Sequence, residues 1–216
     1  PFGAISRPEG IEFPAQNWMD YSDTDKGVAL LNRGLPGNNV ADGTMMLSLA
    51  RCTSIVAYGF GGGYEPGMSS QSGFELGKTL SFDYALLPHI GDWRDAGLYR
   101  EGMSFNSPLL AHTAACQPGV LPKCWGFLRI LPANVVVSAL KPGENGGTVL
   151  RIYEAEGRAA SGVKISLAGP VSEVYEVDLM EDPLKQLAFV DGVVALDLAA
   201  YEIKTLRFEL GDLTAG

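Results

Sequence analysis

The residues of this chain that could do chemistry are few and dispersed. Its imidazoles are His89 and His112, and its thiols are Cys52, Cys116 and Cys124. No His-x-His, Cys-x-x-Cys or His-Glu-x-x-His spacing joins them, so a metal site built from this chain alone has no support in the sequence. Gly59-Phe60-Gly61-Gly62-Gly63-Tyr64 follows an apolar stretch at Ser54–Tyr58 and resembles a phosphate-cradling loop. Tyr64 occupies the third glycine position, however, and no helical pattern follows, so a flexible glycine-rich loop over Gly59–Gly77 is expected instead. No serine stands in a Gly-x-Ser-x-Gly elbow. Glycoside hydrolysis needs two carboxylates across a sugar. Asp83, Asp92, Asp95, Glu101, Glu154, Glu156 and Asp178 are candidates, but spacing in the sequence pairs none of them. Trp18, Trp93 and Trp125, with Tyr21, Tyr58, Tyr64 and Tyr99, would suit either sugar-stacking platforms or core packing, and packing is the simpler expectation. Trp93 beside Asp92 would combine an apolar floor with a hydroxyl acceptor.

The elements that must position these groups read as strands. Apolar residues alternate with polar ones in Thr44–Arg51, Leu80–Ala85, Val163–Leu167 and Leu206–Leu210, the period of a half-buried strand. Val135–Val137 and Val149–Tyr153 are apolar enough to pack on both faces. Turn signals separate them at Pro36–Asn39, Asp42-Gly43, Gly143–Gly147, Ala168–Pro170 and Asp191-Gly192. One stretch, Asp92–Phe105, has a helical pattern, weakened by Gly97 and Gly102. Ala111–Pro122 has no periodicity and reads as a connection, and a domain boundary is expected near residue 130. Many short strands at this spacing predict an all-β fold.

Composition narrows the function classes. Acidic residues outnumber basic ones, 25 to 16, and no two basic residues are adjacent, which excludes a phosphate-tracking nucleic-acid surface. A hydrophobic content of 46% supports a folded core. No apolar run is long enough for a membrane helix, so a soluble, non-membrane protein is expected. The first residue is Pro1 rather than Met, which reads as a piece of something longer. Three cysteines suggest free thiols in a reducing, cytoplasmic setting, although Cys116 and Cys124 bracket a loop they could close.

Several strings together resemble the C-terminal β region of glycoside hydrolase family 38 α-mannosidases. They are Trp18-Met19-Asp20-x-Ser22, Gly27–Asn32 with Gly34, and Asp42–Leu49 with Arg51. The likeness continues through Phe82–His89 with Gly91-Asp92-Trp93, then Asn106-x-Pro108-Leu109-Leu110. It runs on through Asn134–Lys141, Val149–Ala155 with Gly157, and Tyr201–Leu206. The Tyr-Ala-Leu-x-Pro-His form is most similar to the cytosolic and bacterial branch.

The resemblance implies a β super-sandwich portion of galactose-mutarotase type over residues 1–130 and a smaller terminal β-sandwich over 131–216. It implies a retaining exo-α-mannosidase whose nucleophile and divalent metal, zinc or cobalt, lie in an upstream catalytic domain. On this reading the chain alone holds no catalytic residue and no cofactor, and is inactive. Its partners would be that catalytic domain and α-mannoside glycans, with a homo-oligomer compatible and neither nucleic acid nor membrane involved. Its location would be cytoplasmic, in a bacterium. Arg51, at the end of the Leu-Ser-Leu strand, is the first candidate to reach the sugar pocket, because a guanidinium suits multidentate hydrogen bonding, with a structural ion pair the simpler expectation. His89, Asp92 and Trp93 form the next candidate substrate-binding cluster, or else pin the helix to its sheet. An autonomous carbohydrate-binding β-sandwich is the alternative from a different functional class.

Overall fold

The computed structural model describes residues 2–10, 12–50, 79–116, 118, 119 and 122–210. These residues divide into two compact units, one of residues 6–112 and one of residues 113–210 joined by the N-terminal residues 2–5.

In the unit of residues 6–112, strands β2 (Trp18–Ser22), β3 (Lys26–Asn32) and β6 (Tyr84–Ile90) form an antiparallel sheet with β3 in the centre. A second small sheet contains β1 (Phe13–Pro14), β4 (Gly37–Ala41) and β5 (Thr44–Leu47). The sole helix among the described residues, α1 (Leu98–Asn106), packs on the first sheet. Its buried residue Leu98 meets Ala29 and Leu31 of β3, with Trp18, Trp93, Ala85, Leu87 and Phe105 around them. The helix starts later than the sequence pattern suggests. Residues 92–97 instead form turns that end at Gly97, whose φ of 61° is a left-handed conformation that glycine adopts without strain. Gly102 stays inside the helix because of close packing. A Cβ there would lie 2.6 Å from Trp18 Cδ1.

The unit of residues 113–210 is a two-layer sandwich. One layer orders β13 (Phe189–Val190), β14 (Val193–Leu198), β10 (Ala160–Leu167) and β7 (Leu128–Leu131). The other orders β12 (Pro183–Leu187), β11 (Val171–Val177), β15 (Ile203–Leu210), β9 (Thr148–Glu154) and β8 (Val135–Pro142). Their facing residues form one core. Val163, Ile165, Leu167, Val194 and Leu198 come from the first layer, and Val135, Leu150, Ile152, Val174, Leu206 and Phe208 from the second. The all-β expectation therefore holds, and β8, β9, β10 and β15 contain the stretches whose patterning predicted strands.

Two turn signals form tight hairpin turns. Asp42 and Gly43 join β4 to β5 with φ of 50° and 71°, and Asp191 and Gly192 join β13 to β14 with φ of 50° and 77°. Pro36–Asn39 does not form the expected turn, because β4 begins at Gly37. The glycine serves a close approach rather than a bend. A Cβ on Gly37 would sit 2.8 Å from Glu12 Oε1 and 3.0 Å from Ser48 Cβ. Asn38 folds its amide back onto the Pro36 carbonyl, so both turn-type residues are absorbed into a strand. The Leu80–Ala85 pattern likewise differs from the structure, where the strand runs Tyr84–Ile90.

Candidate functional site

The cluster singled out around His89 lies where β6 leaves the three-stranded sheet. Antiparallel register sets Ser22, Gly27 and His89 in one row across β2, β3 and β6. The missing side chain at Gly27 makes room for the imidazole: a Cβ there would lie 2.7 Å from His89 Cε1 and 2.3 Å from Ser22 Cβ. The imidazole thereby reaches Asp20 of β2, with Nε2 2.9 Å from Oδ1, and both side chains are over nine-tenths buried. The other ring nitrogen, Nδ1, lies 3.1 Å from the Gly91 carbonyl oxygen. The second oxygen of Asp20 accepts from the Ser22 hydroxyl at 2.6 Å. Both nitrogens of His89 and both oxygens of Asp20 are thus occupied from within this sheet and the turn that follows it.

Asp92 organises that turn. Its Oδ1 accepts from the backbone N–H of Arg94 at 2.8 Å and of Asp95 at 3.2 Å, and Oδ2 accepts from the Arg94 guanidinium at 3.0 Å. Burial pushes the Asp92 carboxyl up, but these amides and the guanidinium outweigh it and hold the group below the ordinary carboxylate value. The Asp95 carboxylate returns the bond by accepting from the Asp92 N–H at 3.2 Å. Trp93 packs against two neighbours: its ring lies 5.6 Å from that of Trp18, and the Arg94 guanidinium sits 4.2 Å from its centroid. The Trp93 carbonyl accepts from the Leu98 N–H at 3.0 Å, tying the turn to the start of α1. The end of the helix is fastened too, since Asn106 Nδ2 donates to the Asn32 carbonyl at 2.8 Å.

His89, Asp92 and Trp93 are therefore brought together along one turn, each engaged by its own neighbours. Arg51, the other expected substrate contact, lies outside the described residues, as do Cys52 and the Gly59–Gly77 loop. A shallow pocket of about 230 Å³ is lined by Gly34–Gly37 and by Ser48, Leu49 and Ala50. His112 is exposed, and Cys116 and Cys124 are exposed free thiols. Among the described residues, no three His, Cys, Asp or Glu side chains gather in a way that could hold a metal ion. The divalent metal implied by the resemblance thus finds no fitting donor set in these residues.

Among the described residues, the carboxylate with the most N–H donors is one that sequence spacing could not single out from its neighbours. Glu154, wholly buried at the end of β9, accepts five N–H donors: the amides of Glu156, Gly157, Arg158 and Tyr201 and the side chain of Asn134, at 2.7 to 3.1 Å. Burial raises its pKa, but these donors prevail and lower it below the usual glutamate range. The cluster closes the turn into β10 and the loop before β15. Gly157, with φ of 72°, lies against Tyr201, whose hydroxyl donates to the Ala4 carbonyl at 3.2 Å. The signal was present in Asn134 and in the Glu154-x-x-Gly157 spacing, but the contribution from Tyr201 comes from a residue 47 positions away. Asp83 is likewise engaged, by Arg33 at 2.9 Å, and Asp178 accepts from the amides of Met180 and Asp182 in a local turn.

Comparison with known proteins follows the same division. Residues 3–55 match the family described as the glycosyl hydrolases family 38 C-terminal domain. Residues 134–206 match the glycosyl hydrolases family 38 C-terminal beta sandwich domain. Human alpha-mannosidase 2C1 is 30% identical over 225 aligned positions that take in 97% of this chain and 20% of the human protein. Alpha-mannosidase G of Dictyostelium discoideum is 26% identical, over 96% of this chain and 19% of its own length. The chain thus spans about a fifth of the length of these relatives. Among solved structures, a family 38 glycosyl hydrolase of Enterococcus faecalis superposes with a TM-score of 0.72 at 24% identity, over 96% of this chain and 24% of that one. An alpha-mannosidase of Enterococcus faecalis V583 gives the same TM-score at 21% identity, covering 96% and 23% of the two chains. These superpositions establish a shared fold. Two family matches in order, with relatives aligned along nearly all of the sequence, make this chain similar to the C-terminal β region of glycosyl hydrolase family 38.

Proposed function

We propose that this chain is the non-catalytic C-terminal β portion of a retaining, metal-dependent exo-α-mannosidase of the cytosolic and bacterial branch. In this reading it packs against a catalytic domain of the same polypeptide, in the cytoplasm, and walls the sugar pocket. The carrying observation is the alignment with alpha-mannosidase 2C1, which takes in 97% of this chain but 20% of the relative. The side chains support it. Retaining hydrolysis requires an acid and a nucleophile free to face a sugar. Asp20 and Glu154, the carboxylates most firmly held inside the two units, are instead filled by His89 and Ser22 and by N–H donors.

Within this reading, residues 1–130 are the super-sandwich portion and residues 131–216 the terminal sandwich. Arg51, and after it His89, Asp92 and Trp93, are the residues of this chain proposed to serve the leaving-group sugar. The chemistry of the metal, zinc or cobalt, belongs to the upstream domain, where it would grip hydroxyls of the terminal mannose. The residues of this chain hold shape rather than move protons.

Expressing the preceding part of the gene and this chain as two separate polypeptides tests the division of labour. The two halves are expected to co-purify and to hydrolyse aryl α-mannoside together. Full turnover by the preceding part without this chain would refute it.

A further inference from the structure

We infer that the outer face of the β2–β3–β6 sheet, with the free edge of β6, is the surface on which the rest of the longer polypeptide docks. This inference rests on the proposed function and assigns it a place on the molecule. The sheet has two unlike faces. Its inner face carries Ala29, Leu31, Ala85 and Leu87 and is covered by α1 and Trp93. Register puts Tyr21, Val28 and Pro88 in one row on the opposite face, with Tyr84, Leu86 and Ile90 on the same side of β6.

That outer face is apolar; the chain itself already covers it where Met19 of β2 and Leu30 of β3 are buried, and it is open along β6 and at Tyr21 and Val28. Tyr84, Leu86 and Ile90 are 54%, 62% and 82% exposed, and Tyr21, Val28 and Pro88 are exposed beside them. A strand exposed to water on one face ordinarily alternates apolar with polar residues. Apart from His89, buried against Asp20, Tyr84-Ala85-Leu86-Leu87-Pro88-His89-Ile90 is apolar or aromatic on both sides, the pattern of a strand packed between two layers. Among the described residues β6 pairs with β3 alone, leaving its other edge without a described strand. An apolar face beside an open edge invites a further layer.

The occupant follows from what the patch lacks and from what the relatives possess. Val28, Leu86, Pro88 and Ile90 have no side-chain hydrogen-bonding group and the Tyr21 hydroxyl is taken up by Glu9, so of these six residues Tyr84 alone has a polar group left for the hydroxyls of a glycan. A chain with 25 acidic and 16 basic residues is poorly suited to an anionic membrane surface. An aliphatic protein surface fits, and the relatives carry about four-fifths of their length beyond the part matched here. We therefore commit to a neighbouring domain of the same polypeptide, rather than a second copy of this chain.

Hydroxyl-radical footprinting of native side chains tests this, on the 216-residue chain and on the complete gene product that contains it. Modification of Tyr84, Leu86 and Ile90 is expected to fall about tenfold in the complete product, as water is excluded from an interface core. Leu184, exposed on β12, is expected to react equally in both. Equal reactivity of Tyr84, Leu86 and Ile90 in the two samples would overturn the inference. So would protection already present in the 216-residue chain, with sedimentation distinguishing a second copy from the chain's own cover. Aryl α-mannoside turnover, measured on the same samples, reports on the proposed function independently of whether this face is protected.

Discussion

The carboxylate of Asp20 lies 2.9 Å from the His89 imidazole, reached across the central strand over Gly27, the one residue of that row without a side chain. Together the pair fastens β2 to β6, which do not hydrogen-bond to each other directly. His89→Ala leaves the Asp20 carboxylate buried with the Ser22 hydroxyl as its remaining described partner. Losing one member of a buried pair costs about 3–5 kcal/mol. Urea unfolding should register this loss, and a double-mutant cycle with Asp20→Asn should show the two changes to be far from additive.

Gly27→Ala tests the same relationship from the backbone side. The added Cβ meets Ser22 Cβ at 2.3 Å and the His89 ring at 2.7 Å, so strands must shift or the imidazole must leave. Overpacking of this kind costs about 1–3 kcal/mol. Gly34→Ala is the control, because nothing lies within 4 Å of a Cβ there and its φ of 69° accounts for the whole penalty. That penalty is about 1–2 kcal/mol. Loss of the His89 ring signals from their folded positions in an NMR spectrum should accompany Gly27→Ala and not Gly34→Ala.

Glu154 should make the terminal sandwich sensitive to acid. Burial raises its pKa, the five N–H donors more than reverse that, and the folded value ends below the unfolded one. A depressed carboxylate contributes stability that is complete above its unfolded pKa, about 4.3, and is lost as pH falls through the folded value. Glu154→Gln replaces one acceptor with a donor among donors, costing about 3 kcal/mol at pH 7. The stability gap between the two proteins should close as pH falls below about 4, read by denaturant titration at several pH values.

The tryptophans discriminate between a packing role and a glycan-binding module. Trp93 packs against the Trp18 ring and the Arg94 guanidinium, so it is already engaged within the fold. Titration with mannose oligosaccharides at millimolar concentration should produce no saturable change in tryptophan fluorescence. A saturable quench lost on Trp125→Ala would favour the binding module, because Trp125 is the half-exposed member of the set.

How much of this was legible in the sequence depended on whether the information was local. The β-branched and alternating stretches that became β8, β9, β10 and β15 are intrinsic to their own residues, as are the Asp42-Gly43 and Asp191-Gly192 turns. Gly37 has the sequence signature of a turn, because a glycine required by the approach of Glu12 and Ser48 looks the same along the chain as one required by a bend. The start of α1 was read too early because Asp92 caps a turn, not the helix, and the helix begins only after Gly97. The grouping of His89 with Asp92 and Trp93 was visible as proximity along the chain. The decisive partner of His89, Asp20, lies 69 residues away and required the register of three strands. Glu154 was one carboxylate among many until the fold brought Tyr201 to it.

The central claim is that this chain shapes an α-mannosidase without carrying its chemistry. Aryl α-mannoside turnover with elemental analysis, on the purified 216-residue chain and on the complete gene product, with added zinc or cobalt and a chelator control, tests it most directly. The account predicts turnover and a stoichiometric divalent ion in the complete product and neither in the chain alone. Chelator-sensitive turnover by the chain alone, persisting in preparations free of host mannosidase, would contradict it.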